Sequence, residues 1–423
     1  MNATTASGPL TGASNDGFLR GPRGHYLLPG AIGRSTLYMG EGTPHAVRGD
    51  GYKLWDDRGR ELIDANNNFT VSIHGHGHPA LVEAAKQAID TGACYGLPNW
   101  YEWDHAQTLM SRFPELDQVR YANSGTEAVM SAIRLARACT GADDVIVIKD
   151  GYHGTSDVAL CAGGPHYLQG VTQGVQKEVT RIPINDLDAL KSAVGDGSRR
   201  YAAILIDLLP NRAGLISVSR EFLELARDLA DERGIVLIVD EVISLRLGYA
   251  GLSGEYGVTP DLMTVGKIIG GGFPVGALIG REKYMRQLDV TATSFLEHSG
   301  TFTANPVSMA AGAASLRLLD REAIARLNRL GDRARAAIED RVSDAGWEVR
   351  GSGSLLRPFP VGRTEVETPM RRRLWWEAYE RGLLLSQATG VAISTPMTED
   401  VVDDISDRLV EAILEVAEAV END

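Results

Sequence analysis

The sequence predicts an α/β fold: a largely parallel sheet covered on both faces, joined to a smaller α+β domain. Three observations predict it. Between residues 117 and 279, short unbroken apolar runs alternate with longer amphipathic stretches, the pattern of parallel strands buried by helices. From Ala310 the alternation gives way to long Arg/Ala-rich helical periodicity followed by short strands. The 423 residues, 43% apolar and 23% charged, are ample for a large core and lack the bias of a disordered or fibrous chain.

Each element follows from local pattern. Residues 1–24, rich in Gly, Ser, Thr and Asn, read as a mobile tail or an arm on a partner, without the apolar centre of a signal peptide. Residues 52–55 and 61–64 flank an Asp57-Arg58-Gly59 turn and predict a strand pair. Residues 79–91 predict a helix, with Pro79 in its first turn and Leu81, Ala84, Ala85 and Ala88 on one side. Strands are expected over 117–121, 145–148, 201–206, 235–239, 262–265 and 276–279. Helices are expected over 125–140 and 219–233. Further on, helices over 310–319, 321–345 and 399–420 enclose short strands near 348–349 and 355–356. The N-terminal strands are expected to join this last region. That gives an N-terminal segment 1–65 and a C-terminal segment 316–423 sharing the small domain, with 66–315 as the large one. No internal repeat is visible.

Charge and cysteine usage exclude several functions. Lys and Arg number 42 against 56 Asp and Glu, a net charge of −14, which argues against a partner made of nucleic acid or anionic membrane. No run of 18 apolar residues suggests a membrane span. Cys94, Cys139 and Cys161 have neither disulfide-framework nor zinc spacing, and they point to a reducing, cytoplasmic compartment. His74, His76 and His78 alternate in a Gly-rich loop, but no carboxylate or Cys pair completes a metal set, so no metal is expected.

Four segments concentrate chemistry. Asn123-Ser124-Gly125-Thr126-Glu127 lies between a strand and a helix, where two hydroxyls and free backbone N–H groups suit either a phosphate or an ordinary helix cap. Residues 235–239 form an apolar strand ending in Asp240 and Glu241, at the sheet edge where ligands bind. That carboxylate suits a metal, a general base, or a protonated ring nitrogen. Lys267 sits in an apolar, glycine-rich run, and desolvation there would depress its pKa as Schiff-base chemistry requires. The three glycines 270–272 read as letting backbone approach a ligand. Tyr152, in Gly151-Tyr152-His153-Gly154, follows a strand and offers a ring face for stacking. Together these are the parts of a pyridoxal phosphate site.

The chain strongly resembles the class III (ω-) aminotransferases, especially the branch of glutamate-1-semialdehyde 2,1-aminomutases and β-amino-acid transaminases. The motifs that carry the likeness are NSGTEA (123–128), GYHG (151–154), DEV (240–242), TVGKIIGGGFPVGA (264–277) and HSGTFTANP (298–306). The resemblance implies fold type I, a mostly parallel seven-stranded sheet, and pyridoxal 5'-phosphate as cofactor. It implies Lys267 as the Schiff-base lysine that also moves protons, and Asp240 as partner of the pyridine nitrogen. Tyr152 and Val242 would flank the ring, and Ser124, Gly125 and Thr126 would hold the phosphate. Thr301 would reach the phosphate in the partner subunit of a homodimer. The reaction implied is ping-pong transfer of an amino group from an amine to a carbonyl acceptor. An intramolecular aminomutase or epimerase is the alternative.

Departures from the family pattern bear on substrate. A Glu-Pro usual in the family is replaced by Asp207, with Pro210 displaced, and Arg212 stands about where the aminomutases carry Asn. The C-terminal stretch around Ala388 and Thr389 has neither the aminomutase Glu nor the transaminase Arg. Arg34, in Pro29-Gly30-Ala31-Ile32-Gly33-Arg34-Ser35, resembles the carboxylate-binding Arg of β-amino-acid transaminases. The substrate contacts expected are therefore Arg34, Asn67, Arg212 and Thr389. Asn66, Asn68 and Phe69 are expected as lining, and Trp100, Tyr101 and Trp103 at an entrance, in the core or at an interface.

Overall fold

The computed structural model describes residues 25–195, 197 and 199–421, so the expectation for residues 1–24 lies outside the described residues. An N-terminal meander comes first: β1 (Ala46–Asp50), β2 (Lys53–Asp56) and β3 (Glu61–Asp64) pair antiparallel in sequence. Asp56 makes its turn, with Oδ1 accepting from the N–H groups of Arg58 and Arg60. Two helices follow, α1 (Pro79–Thr91) and α2 (Trp100–Met110). Pro79 opens α1, where its missing N–H costs nothing, and Asn99 caps α2 by accepting from Glu102 N.

Among the described residues, seven strands then form the central sheet. They are β4 (Gln118–Ala122), β5 (Asp144–Ile148), β6 (Val179–Ile182), β7 (Tyr201–Asp207), β8 (Val236–Asp240), β9 (Leu262–Gly266) and β10 (Gly276–Gly280), in the order β4-β10-β9-β8-β7-β5-β6. Only β10 runs against its neighbours, and the rest are mutually parallel. Every residue of β7, β8, β9 and β10 is buried, which is why these strands read as unbroken apolar runs. Helices α3 (Gly125–Thr140), α4 (Leu187–Val194) and α5 (Arg220–Arg233) connect them.

The C-terminal third carries α6 (Pro306–Leu318), α7 (Arg321–Val342), a sheet of β11 (Trp347–Ser352) and β12 (Leu355–Pro360), and α8 (Thr368–Glu380). The two-residue strand β13 (Leu383–Leu384) pairs parallel with β3, so the N-terminal meander is hydrogen bonded to the far end of the chain. Strand β14 (Val391–Ala392) completes the β11-β12 sheet, and α9 (Glu399–Glu421) packs on α7. The division expected at 315/316 falls inside α6. Among the described residues no helix is long and apolar enough to cross a membrane.

Candidate active site

The C-terminal ends of β4, β5, β7, β8 and β9 meet at one edge of the sheet, around a cavity of about 380 Å³. Each of these strands ends at, or within four residues of, a residue that lines it: Ser124, Tyr152, Asp207, Asp240 and Lys267.

Strand β9 ends at Gly266 and the chain turns at Lys267, whose φ of +50° is uncommon for a side chain of its size. The turn is pinned from outside. Ser315 Oγ donates to Ile268 O (2.9 Å) and His105 Nε2 donates to Ile269 O (2.7 Å). Helix α6 lies so close that a Cβ on Gly312 would stand 2.0 Å from Ile269 O, and one on Gly271 2.4 Å from Ala311 O. The glycines after Lys267 were expected to admit a ligand. Gly270 and Gly271 instead admit Val275 and α6, and none of the three lines the cavity. Among the described residues the Lys267 amine has no hydrogen bond or ion pair. Burial lowers its pKa from the ordinary lysine value, and the charges of Asp240 and Asp207 partly oppose this.

Asp240 is buried and held from three sides. Its Oδ2 accepts from His153 Nδ1 (2.8 Å), and its Oδ1 accepts from Thr264 Oγ1 (3.0 Å) and Val242 N (3.1 Å). Asp207 is its cross-strand neighbour in the β7–β8 register. Burial and the Asp240 charge push the Asp207 carboxyl well above the usual carboxylate range. The buried His153 Nε2 has no partner among the described residues.

At the start of α3, Ser124 Oγ caps the helix by accepting from Glu127 N (3.2 Å), while the Glu127 carboxylate reaches back to accept from Asn123 N (2.6 Å), one residue before the cap. The cap reading of this segment therefore holds. It leaves the N–H groups of Gly125 and Thr126 without acceptors among the described residues, at the positive end of a helix beside the cavity. Two glycines bring this turn in. A Cβ on Gly276 would lie 2.0 Å from Ser124 O, and one on Gly154, at φ +97°, 2.4 Å from Thr126 Oγ1.

The expected substrate residues separate. Arg34 lines the cavity, donates to Asn68 Oδ1 (3.1 Å) and lies over the Phe69 ring (5.7 Å). Arg212 does not line it: its guanidinium lies over the rings of Tyr152 (4.0 Å) and Tyr167 (4.4 Å). Asn67 is buried and donates to Ala392 O, and Thr389 is buried with its hydroxyl on Ala388 O. Both are parts of the framework and neither lines the cavity. Thr301 is exposed and lies outside the cavity of this subunit. The loop histidines are bonded internally. His74 reaches Ser315 O and Thr395 Oγ1, His76 reaches Asp64 (2.7 Å), and His78 caps α1. Sequence reasoning assigned no role to His153, Thr264 or Phe273. His153 alone had a signal, as the neighbour of Tyr152 in the same turn.

The sequence profile of the family "Aminotransferase class-III" matches residues 40–416. A glutamate-1-semialdehyde 2,1-aminomutase of Rhodopirellula baltica is 34% identical over 90% of this chain and 92% of its own length. An ω-transaminase from Sphaerobacter thermophilus superposes with a TM-score of 0.88 at 36% identity, covering 92% of this chain and 95% of that one. A transaminase solved with pyridoxal phosphate bound gives 0.88 at 35%, covering 93% and 96%. The chain belongs to the class-III aminotransferases. It is an enzyme of the fold-type-I architecture, and its cofactor is pyridoxal phosphate.

Proposed function

We propose that this enzyme is a transaminase acting on a carboxylate-bearing amine, with the cofactor held in the cavity at the sheet edge. The observation that carries the reading is the convergence on that cavity of one unpartnered lysine amine, one fixed carboxylate and one arginine. The donor set fits pyridoxal phosphate. The open N–H groups of Gly125 and Thr126, with the hydroxyls of Ser124 and Thr126, would hold its phosphate. The Asp240 carboxylate would hold a proton on its ring nitrogen, and Tyr152 and Val242 would flank the ring. When bound, the cofactor supplies an electron sink that loosens the proton on the carbon bearing the amino group.

The chain's own groups do the rest. Burial lowers the pKa of Lys267, so its nitrogen would bond the cofactor more readily and, once displaced by substrate, would take and return the proton. Thr264 and His153 keep Asp240 in one orientation, so its charge is already aimed before substrate arrives. Arg34 is the cation beside Lys267 in the cavity lining and would bind the substrate carboxylate as a two-pronged donor.

The absence of an acidic side chain in the stretch containing Ala388 and Thr389 favours transamination over an internal shift of the amino group. The test uses cofactor-loaded enzyme, a single amine donor and no acceptor. Transamination releases one carbonyl product per site and stops. Continued turnover of glutamate-1-semialdehyde into an isomeric amino ketone, with no net transfer of the amino group to the cofactor, would establish the aminomutase instead.

We also infer a homodimer in the cytoplasm. Support comes from an exposed apolar patch: Leu97 (78% exposed), Trp100 (84%), Trp103 (64%) and Phe302 (62%). Bonds from Asn99 to Ala304 O and from Asn305 to Ala93 O tie its two segments together, beside Thr301. The cysteines Cys94, Cys139 and Cys161 are all free thiols.

A further inference from the structure

The segment between β3 and α1 has an unusual backbone. Asn67, Asn68, Phe69 and Thr70 all have positive φ, at 51°, 49°, 56° and 75°. A left-handed run of four non-glycine residues is disfavoured at each position and persists only where its surroundings hold it. Here they do. Asp64 Oδ1 accepts from the N–H groups of Asn66 (3.0 Å) and Asn67 (2.8 Å), and its Oδ2 pairs with His76 Nε2 (2.7 Å). His76 is fixed in turn by a two-way backbone bridge to Gly51, and its ring fits only because Gly49 lacks a side chain. Asn66 Oδ1 accepts from Phe69 N (2.8 Å), and Ser72 N donates to Asn67 O (3.0 Å).

The product of this clamped turn is the seat of Arg34. Asn68 Oδ1 accepts from Arg34 and the Phe69 ring lies beneath its guanidinium. Val71, the residue after the turn, lines the catalytic cavity together with Arg34. Arg34 itself is an exposed side chain on a short irregular segment, with no carboxylate within ion-pair distance among the described residues. Nothing on its own element aims it. Asn68 is a neutral acceptor, so it orients the guanidinium without cancelling the charge a substrate carboxylate would meet.

We propose that Asn68, carried on the left-handed turn 67–70, is a positioning residue that sets the enzyme's preference for carboxylated amines by holding Arg34 toward the cavity. This rests on Arg34 being the carboxylate contact. The test compares β-aminobutyrate with sec-butylamine, an amine lacking the carboxylate, in wild type and in Asn68→Gly, Asn68→Asp and Arg34→Ala. Glycine keeps the left-handed backbone while deleting the amide, so Asn68→Gly is expected to fold. The ratio of kcat/KM for the two amines should fall roughly tenfold in Asn68→Gly, the worth of a hydrogen bond to a charged group, with the change in KM. The inhibition constant of butyrate, which has no amino group to transfer, should rise by a similar factor. Asn68→Asp retains an acceptor but neutralises Arg34, and should lower the ratio further.

If Arg34→Ala collapses the ratio but neither Asn68 variant moves it, the positioning role is wrong and the reading of Arg34 stands. If Arg34→Ala slows both amines alike, the carboxylate reading itself fails. A fall in kcat for both amines in Asn68→Gly, with the ratio unchanged, would mean a purely structural turn and overturn the proposal.

Discussion

At the scale of single residues, the site is a set of groups placed by strand ends. Asp240 is the most constrained of them, and its three donors leave the carboxylate no freedom to rotate. Asp240→Asn keeps the shape but removes the charge, and it turns an amide N–H₂ or an uncharged oxygen toward His153. We expect kcat to fall by at least about a hundredfold, the scale seen when one pre-aimed electrostatic group is lost. Steady-state kinetics on cofactor-saturated protein checks this, and a loss under threefold would contradict it. The places of Lys267 and Asp240 on the cavity were legible in the sequence because a polar residue closing an unbroken apolar strand has few structural reasons to be there. The seat of Arg212 was illegible for the opposite reason. Its partners Tyr152 and Tyr167 lie on other segments, and nothing in its own neighbours distinguishes a stacked guanidinium from a substrate ligand.

At the scale of elements, the turn after Lys267 depends on α6 and on two neutral histidines. His105 accepts from Tyr121 OH at Nδ1 and donates from Nε2 to Ile269 O, and His74 donates from Nε2 to Ser315 O. Burial lowers both imidazoles to about 4, against an ordinary value of 6.5. Below pH 6.5 the unfolded chain binds protons that the native one refuses, so stability falls with acidification from about 6.5 down to about 4. Each histidine can cost roughly 3 kcal/mol across the whole window. Urea unfolding at pH 7 and pH 5 should show this loss, and His105→Gln should flatten the slope. Equal slopes would contradict the assignment. Gly312→Val should destabilise by a few kcal/mol by overpacking α6 against the Lys267 turn, and should weaken cofactor retention with it.

The elements themselves were unevenly legible. Helices α1 and α3 carry their own boundaries: Pro79 and Gly92 for one, the Ser124 cap and left-handed Gly141 for the other. Helix α6 begins at Pro306, ahead of its expected start, because it is buried nearly all round and has no amphipathic rhythm to mark an end. Strand β6 escaped notice because Thr180 and Arg181 sit on a sheet edge, and α2 because its Trp100 and Trp103 face outward. Strand β13 has two residues and exists only through its pairing with β3.

At the scale of the whole molecule, a buried parallel sheet fixes the strand ends while material from both chain ends brings Arg34 to the same cavity. The proposed homodimer would cover the exposed residues around Trp100 and Phe302, and sedimentation should give twice the subunit mass. Trp100→Glu should weaken that association, and an unaltered dimer would remove the patch from the interface. The proposed chemistry requires one bond, that between Lys267 and the cofactor. Reductive trapping tests it most directly: the protein is loaded with pyridoxal phosphate, treated with borohydride, digested, and the modified lysine located by mass. The label should fall on Lys267 and on no other lysine. A label elsewhere, or an undiminished label in Lys267→Ala, would contradict the assignment of the site.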